Sequence, residues 1–192
     1  MQEKQIETFC PGSREEWRSW LQINHRLKQS VWLVYYKKKS ATASITYNDA
    51  VDEALCFGWI DSTRKSLDQE TFMQFFCRRK PNSVWSKVNK GKIKRLMEEG
   101  LMTQAGLESI ETAKQNGSWI ILDEVEELII PQDLENAFML YPGAKQYFLS
   151  LSKSVRKRML QWLVFAKRSE TREKRITEIA KLAAEKLKPK PF

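Results

Sequence analysis

Histidine is nearly missing from this chain of 192 residues, which holds one, His25, beside three cysteines, Cys10, Cys56 and Cys77. The cysteines are widely spaced and form no CxxC pair, so neither a metal site nor a disulfide framework is expected, and they read as reduced thiols. P-loop glycines, a GxSxG elbow and an HExxH helix are absent too, which removes the common signatures of nucleotide, acyl and zinc-hydrolase chemistry. No apolar run approaches the roughly 18 residues of a membrane helix; the longest are short pieces such as WIIL. The first twenty residues, MQEKQIETFCPGSREEWRSW, alternate charge with apolarity and contain no export-type hydrophobic segment, so a cytoplasmic location is expected. Repeats and low-complexity stretches are not found.

What is present argues for a packed globular chain: 42% hydrophobic residues and seven tryptophans. The net charge of +9 is unevenly placed. Residues 1–100 carry 18 basic and 12 acidic side chains, residues 101–149 carry 2 and 8, and residues 150–192 carry 13 and 4. An acidic middle between two basic zones can neutralise either one internally, so the total does not by itself require a polyanionic partner.

Ser13 with Glu16 three positions on predicts a capped helix carrying Trp17, Trp20, Leu21 and Leu27. VWLVYYKKK, from Val31, reads as a strand covered on both faces, followed by a polar loop over 40–46. Asn48 is the expected cap of a second helix, with Asp49, Asp52 and Glu53 in a first turn that suits acids and Gly58 as its stop. WIDSTRKSL and TFMQFFCRRK then form a hairpin, and strict alternation sends Trp59, Asp61, Thr63 and Lys65 one way and Ile60, Ser62 and Arg64 the other. A helix capped by Ser83, with Trp85, Val88, Leu96 and Met97 as its stripe, precedes one over Thr103–Asn116 that carries Leu107, Ile110 and Ala113. The acidic stretch around Pro131 leads to three further helices: one near Leu134–Leu140, SVRKRMLQWLVFAKR, and a last one from about Glu170 to Lys186.

Three constellations bear on function. In the last helix Ile176, Ile179, Leu182, Ala183 and Leu187 define an apolar arc, and Arg172 and Arg175, joined by Arg168, fall inside it. A guanidinium on a packing face needs a partner: an internal carboxylate from the acidic middle or Asp61, or a bound phosphate or carboxylate. From Arg64 to Arg95 ten basic residues are interleaved with aromatic ones against only Asp68 and Glu70, which fits either a solvated basic face or a single-stranded nucleic-acid surface. Nucleophile candidates are Ser62 near Lys65 and Ser83 or Ser86 near Lys90, a Ser/Lys pairing that common coincidence also produces in so basic a chain. His25, at a helix end without a second histidine, reads as a packing or capping residue.

The motifs WLVYYKK, YNDAVDEALCFGWIDS, RRKPNSVWSKVNK, EEGLMTQAGLESIETAKQNGSW and LSKSVRKRMLQWLVFAKRSETREKRI resemble the bacterial YdeI/OmpD-associated group of bacteriocin-protection proteins. Likeness runs from about Ser13 to Leu187. The matching motif positions are Trp59, Asp61, Ser62, Arg78, Lys80, Ser83, Trp85, Asn89, Arg168, Thr171, Arg172 and Arg175. Cys77 stands where relatives are expected to have proline, and Ala41 where glycine is expected. The resemblance implies antimicrobial-peptide resistance and a porin association, and it brings no reaction or cofactor with it.

Together these readings predict an α+β protein: a small antiparallel sheet packed by helices in residues 1–122, followed by a helical OmpD-associated-type module over 123–192. The functional expectation is a cofactor-free, metal-free, non-enzymatic protein binding an anionic small molecule or an acidic protein surface. Its candidate binding residues are Trp59, Asp61, Ser62, Lys65, Arg78, Lys80, Trp85, Asn89, Arg168, Arg172 and Arg175. A hydrolase with a Ser/Lys site and a single-stranded nucleic-acid binder are the alternatives.

Overall fold

The computed structural model describes residues 7–37, 39–42, 44–190 and 192; the expectations that touch residues 1–6, Lys38, Ala43 and Pro191 lie outside them. The chain divides into two compact units, Met1–Trp119 and Ile120–Phe192. It is an α+β protein.

In the first unit the strands β1 (Thr8–Phe9), β2 (Ser30–Tyr36), β3 (Trp59–Ser66) and β4 (Thr71–Arg78) form one sheet in the order β1-β2-β4-β3. The β3–β4 hairpin and its pairing with β2 are antiparallel, while β1 adds a short parallel edge that a two-residue strand cannot announce by periodicity. Val31, Leu33 and Tyr35 of β2 are buried, whereas Trp32, Val34 and Tyr36 on its other face are only half-buried, so β2 is not fully covered on both sides. Trp17, Leu21, Trp59, Phe76, Leu96 and Ile110 are central in the core that covers the first face.

Four helices build that cover: α1 (Arg14–Asn24), α2 (Tyr47–Cys56), α3 (Lys87–Glu98) and α4 (Gln104–Gln115). Ser13 caps α1 by accepting from the Glu16 N–H at 3.3 Å, and the Glu16 carboxylate reaches back to the Gly12 N–H at 2.8 Å. α1 ends before Leu27, which is 74% exposed. There His25 donates its N–H to the Leu21 carbonyl, and its own carbonyl accepts from the Trp59 indole at 3.2 Å, which fixes the exit of the chain.

Two caps differ from the sequence expectation. Thr46 rather than Asn48 caps α2, because its hydroxyl accepts from the Asp49 N–H and also donates to the Asp49 carboxylate at 2.6 Å. Ser86 rather than Ser83 caps α3; Ser83 closes a turn by accepting from the Lys80 N–H. The later start rotates α3, so that Ile93 and Leu96 are buried while Val88 and Met97 are exposed.

Helix α2 is enclosed on nearly every side, and Asp52 and Glu53, read as first-turn acids, are only 5% and 1% exposed. Lys92 and Arg95 of α3 neutralise Asp52, and Arg14 and Arg18 of α1 neutralise Glu53. Gly58 ends the helix at φ +71, the left-handed conformation that glycine enters without a Cβ clash.

The most consequential departure lies in β3. Asp61 pairs with Phe76 and Arg64 with Gln74, so Ser62 and Thr63 together face one residue of β4 in a bulge. After the bulge the alternation flips. Arg64 joins Asp61 on the face that carries Gln74 and Phe76, and Lys65 moves to the face of Trp32, whose ring it covers at 4.8 Å.

The second unit holds α5 (Asp123–Glu126), α6 (Gln132–Leu140), α7 (Ala144–Ser150), α8 (Lys153–Val164) and α9 (Ser169–Ala184). Three of these were expected; α5 and α7, at 4 and 7 residues, are too short to show a helical period. Leu134, Phe138, Phe148, Met159, Leu163 and Ile179 form its interior. Leu187 lies beyond the end of α9 and is half exposed. No helix among the described residues is long and apolar enough to cross a membrane.

Candidate ligand-binding site

On the helix-side face of the sheet, beyond the β3 bulge, two cavities of ≈ 470 and ≈ 280 Å³ share Tyr47, Arg64 and Phe72 in their walls. Each wall residue has a local origin. Tyr35 is the last buried position of β2 and stacks on Phe72 of β4, ring centroids 4.8 Å apart and planes within 3°. Tyr47 opens α2 directly after the Thr46 cap. Arg64 reaches this face because of the bulge, and its guanidinium lies 3.9 Å over the Phe72 ring.

Polar contacts here are asymmetric. Asp61 Oδ2 accepts from the Tyr47 hydroxyl at 2.7 Å and from the Gln74 amide at 3.2 Å, and the same amide donates to the Ser62 carbonyl at 2.9 Å. Gln74, 4% exposed, therefore holds the bulge and the carboxylate in one arrangement. Both bonds to Asp61 end on Oδ2, which leaves Oδ1 without a donor among the described residues, in a side chain that lines the smaller cavity. Arg64, exposed and stacked, has no carboxylate partner among them either. The Tyr35 hydroxyl is buried and unpartnered in a residue only 2% exposed.

Both phenols stay protonated near neutrality. Burial pushes the Tyr35 phenol far above the usual tyrosine range, with the charge on Asp61 adding to it. Burial, then the bond to Asp61, lifts Tyr47 to about 12. The site therefore offers a guanidinium, a neutral phenol donor and one open carboxylate oxygen, set between rings. A buried unsatisfied hydroxyl is costly, and a ligand acceptor removes that cost.

Of the expected binding residues, Asp61 and Ser62 line this site, and Ser62 contributes its carbonyl and backbone bulge more than its exposed hydroxyl. Trp59 is a core residue stacked edge-on against Trp20. Lys65 lies on the opposite sheet face. Arg78 is spent on the carbonyls of Lys28 and Arg26. Lys80 sits exposed in the turn after β4, and Trp85 is buried against Trp119. Arg79 covers the Trp85 ring at 3.6 Å, and burial pulls its pKa down to about 10. Asn89 gives its N–H to the Ser86 cap. The basic run from Arg64 to Arg95 is thus dispersed over both sheet faces, a turn, and the Asp52 ion pairs. As for the serine nucleophiles, Ser62 is exposed at a bulge and Ser86 is occupied in capping.

Within the second unit the arginine stripe has internal partners. Arg172 grips Asp133 with two bonds, Nε to Oδ2 at 2.5 Å and Nη2 to Oδ1 at 3.0 Å, and donates Nη1 to the Leu163 carbonyl at 3.1 Å. Arg175 donates to the Trp162 carbonyl and lies 4.8 Å over the Trp162 ring. Leu163 and Trp162 belong to the last turn of α8, whose carbonyls have no partner within their own helix, so the two guanidiniums cap α8 and oppose its dipole. Arg168 gives α9 its backbone cap, and its side chain is exposed. The anion clamp expected here is filled by Asp133, a member of the acidic middle. The hollow along the outer side of α9 is lined by that helix alone and offers no second wall.

The Arg172 pair also sets a pH response. The bond to Arg172 holds the Asp133 carboxyl below the usual carboxylate range. Its stabilising contribution is therefore complete above about pH 4, the unfolded value, and disappears as pH falls through the lower folded value. With the pair partly exposed, a double-mutant cycle between Arg172→Ala and Asp133→Ala is expected to give a coupling of about 1 kcal/mol at pH 7. Repeated at successively lower pH, the same cycle should give a coupling that shrinks toward zero as the carboxyl protonates. Amide hydrogen exchange in α8 and α9 reports this unit's unfolding.

Two family models match the chain. Residues 9–109 match a domain of unknown function (DUF8412), and residues 127–186 match the family described as Bacteriocin-protection, YdeI or OmpD-Associated. No curated protein and no solved structure matches it.

Proposed function

We propose, for a chain that belongs to the DUF8412 family of domains of unknown function and carries a Bacteriocin-protection, YdeI or OmpD-Associated module, a binding role without turnover. The ligand is a small molecule bearing an anionic group, held in the paired cavities at the end of the sheet. One observation carries this reading: Tyr35, whose hydroxyl is buried and unpartnered, lines a cavity whose wall also holds Arg64, a guanidinium with no carboxylate partner among the described residues. A preformed concave site with ring walls and a few convergent donors is the usual form of a small-molecule pocket. What supports binding over hydrolysis is the character of the polar groups. Both phenols are poor proton acceptors, and the serine that reaches the cavities is held by its backbone. Free thiols at Cys10, Cys56 and Cys77 fit a reducing compartment, and we place the protein in the cytoplasm.

The test is a calorimetric or NMR titration of the full chain with 3-phenylpropionate and with inorganic phosphate. Arg64→Ala is expected to weaken binding of the anion it meets by at least about tenfold, the loss of one charge-assisted contact. Arg64 is exposed, so the melting midpoint should fall by no more than about 3 °C. Binding that ignores Arg64→Ala, or no binding by any carboxylate or phosphate, refutes the reading.

A further inference from the structure

We infer that the ligand is a zwitterion: a small molecule bearing a carboxylate, an ammonium group and a flat apolar side group. The inference rests on the binding site proposed above and adds the second charge. Its basis is the use of a single oxygen of Asp61. Tyr47 and Gln74 both bond to Oδ2, and together they fix the carboxylate so that Oδ1 has no donor among the described residues. The smaller cavity is walled by that carboxylate and by Arg64, unlike charges on one face of β3, and its lining holds no other ionic group among the described residues.

A simple anion entering here meets Arg64 favourably and Asp61 unfavourably. A zwitterion satisfies both, because its ammonium can donate to Asp61 Oδ1 while its carboxylate accepts from Arg64 and from the Tyr35 hydroxyl. Paired opposite charges also select against the mono-charged analogue, since removing either ligand charge leaves a protein charge facing an uncompensated desolvation cost. Tyr35, Tyr36, Tyr47 and Phe72 line the larger cavity and supply ring surfaces for the apolar part. The bulge is what makes this arrangement: with regular alternation Arg64 would stand on the opposite face from Asp61.

Three probes separate the terms: L-phenylalanine, 3-phenylpropionate, which lacks the ammonium, and phenethylamine, which lacks the carboxylate. Titrated into the full chain, L-phenylalanine is expected to bind about tenfold or more tightly than either truncated probe. Asp61→Asn keeps an acceptor for Tyr47, and it should bring L-phenylalanine down to the level of 3-phenylpropionate without lowering the latter. Arg64→Ala should weaken both. If 3-phenylpropionate equals L-phenylalanine in the unaltered protein, and its binding still depends on Arg64, the zwitterion is wrong and the anion site stands. If none of the three probes binds, the zwitterion is likewise wrong, and phosphate binding sensitive to Arg64→Ala then decides whether the anion site survives.

Discussion

Replacing Glu53 by alanine is expected to lower the unfolding free energy of the first unit by about 4 kcal/mol, the range found when one partner of a buried ionic cluster is removed. Glu53 is 1% exposed, and its two oxygens are taken by different arginines: Oε1 by Arg14 Nε at 2.5 Å, Oε2 by Arg18 Nη1 at 2.6 Å. Arg18 also donates to the Leu101 carbonyl at 2.9 Å, so Glu53 joins α1, α2 and the approach to α4 through one side chain. Without the carboxylate the two guanidiniums, each about one-third exposed, retain their charges in a crevice and repel one another. Arg14 keeps only a long contact to Asp49, 3.8 Å from Nη1, and its Nη2 is already buried without a partner. Glu53→Gln, which keeps the size and one acceptor, should cost less than alanine. Replacing Arg14, Arg18 and Glu53 together by apolar residues should recover much of the loss, because no charge is then stranded. Six of the seven tryptophans lie in this unit, so urea unfolding followed by their fluorescence reads it; a midpoint unchanged in Glu53→Ala rejects the argument.

Glu53 also shows where sequence rules stop. Acids in the first turn of a helix have a sufficient local reason, the helix dipole, and that reason hides the global one: two consecutive acids on an enclosed helix need cations brought from α1 and α3, which lie 35 to 43 positions away in the chain. Features set by nearest neighbours were legible. Ser13 as a cap, the Gly58 stop and the bounds of α4 follow from groups within four residues of one another. Asp61 and Ser62 could be picked out as polar residues crowded behind a glycine stop. Tyr35 and Tyr47 could not, since a tyrosine inside VWLVYY reads only as strand propensity, and its unpaired hydroxyl exists only when the sheet is assembled. Arg64 was visible but assigned to the wrong face, because a bulge is decided by what β4 places opposite it. The arginines of α9 were rightly marked as needing partners. Their match to the carbonyl end of α8 depends on helix packing that one helix's periodicity does not contain.

Gly106→Ala is expected to destabilise the first unit by about 3 kcal/mol, the upper part of the cost of forcing one methyl into a closed packing. Gly106 lies in the first turn of α4, where the helix crosses the end of α2 at backbone contact. A methyl there would overlap the Cys56 carbonyl oxygen and come within 2.7 Å of Met102 Cε. The methionine can turn aside, but the carbonyl cannot. It already accepts from the Thr103 N–H at 3.1 Å and from the Thr103 hydroxyl at 2.7 Å, the bonds that fasten the start of α4 to the end of α2. Relief by separating the helices would lengthen both bonds and open the contact around Gly58, whose own Cα faces the Ala105 carbonyl. In an exposed helix interior the same substitution would stabilise by up to about 1 kcal/mol through helix propensity, so the expected sign is opposite to the local rule. Gly91, in α3 with open space around it, is the internal control: Gly91→Ala should stabilise while Gly106→Ala destabilises, and equal effects at the two positions would show that α2 and α4 do not approach so closely.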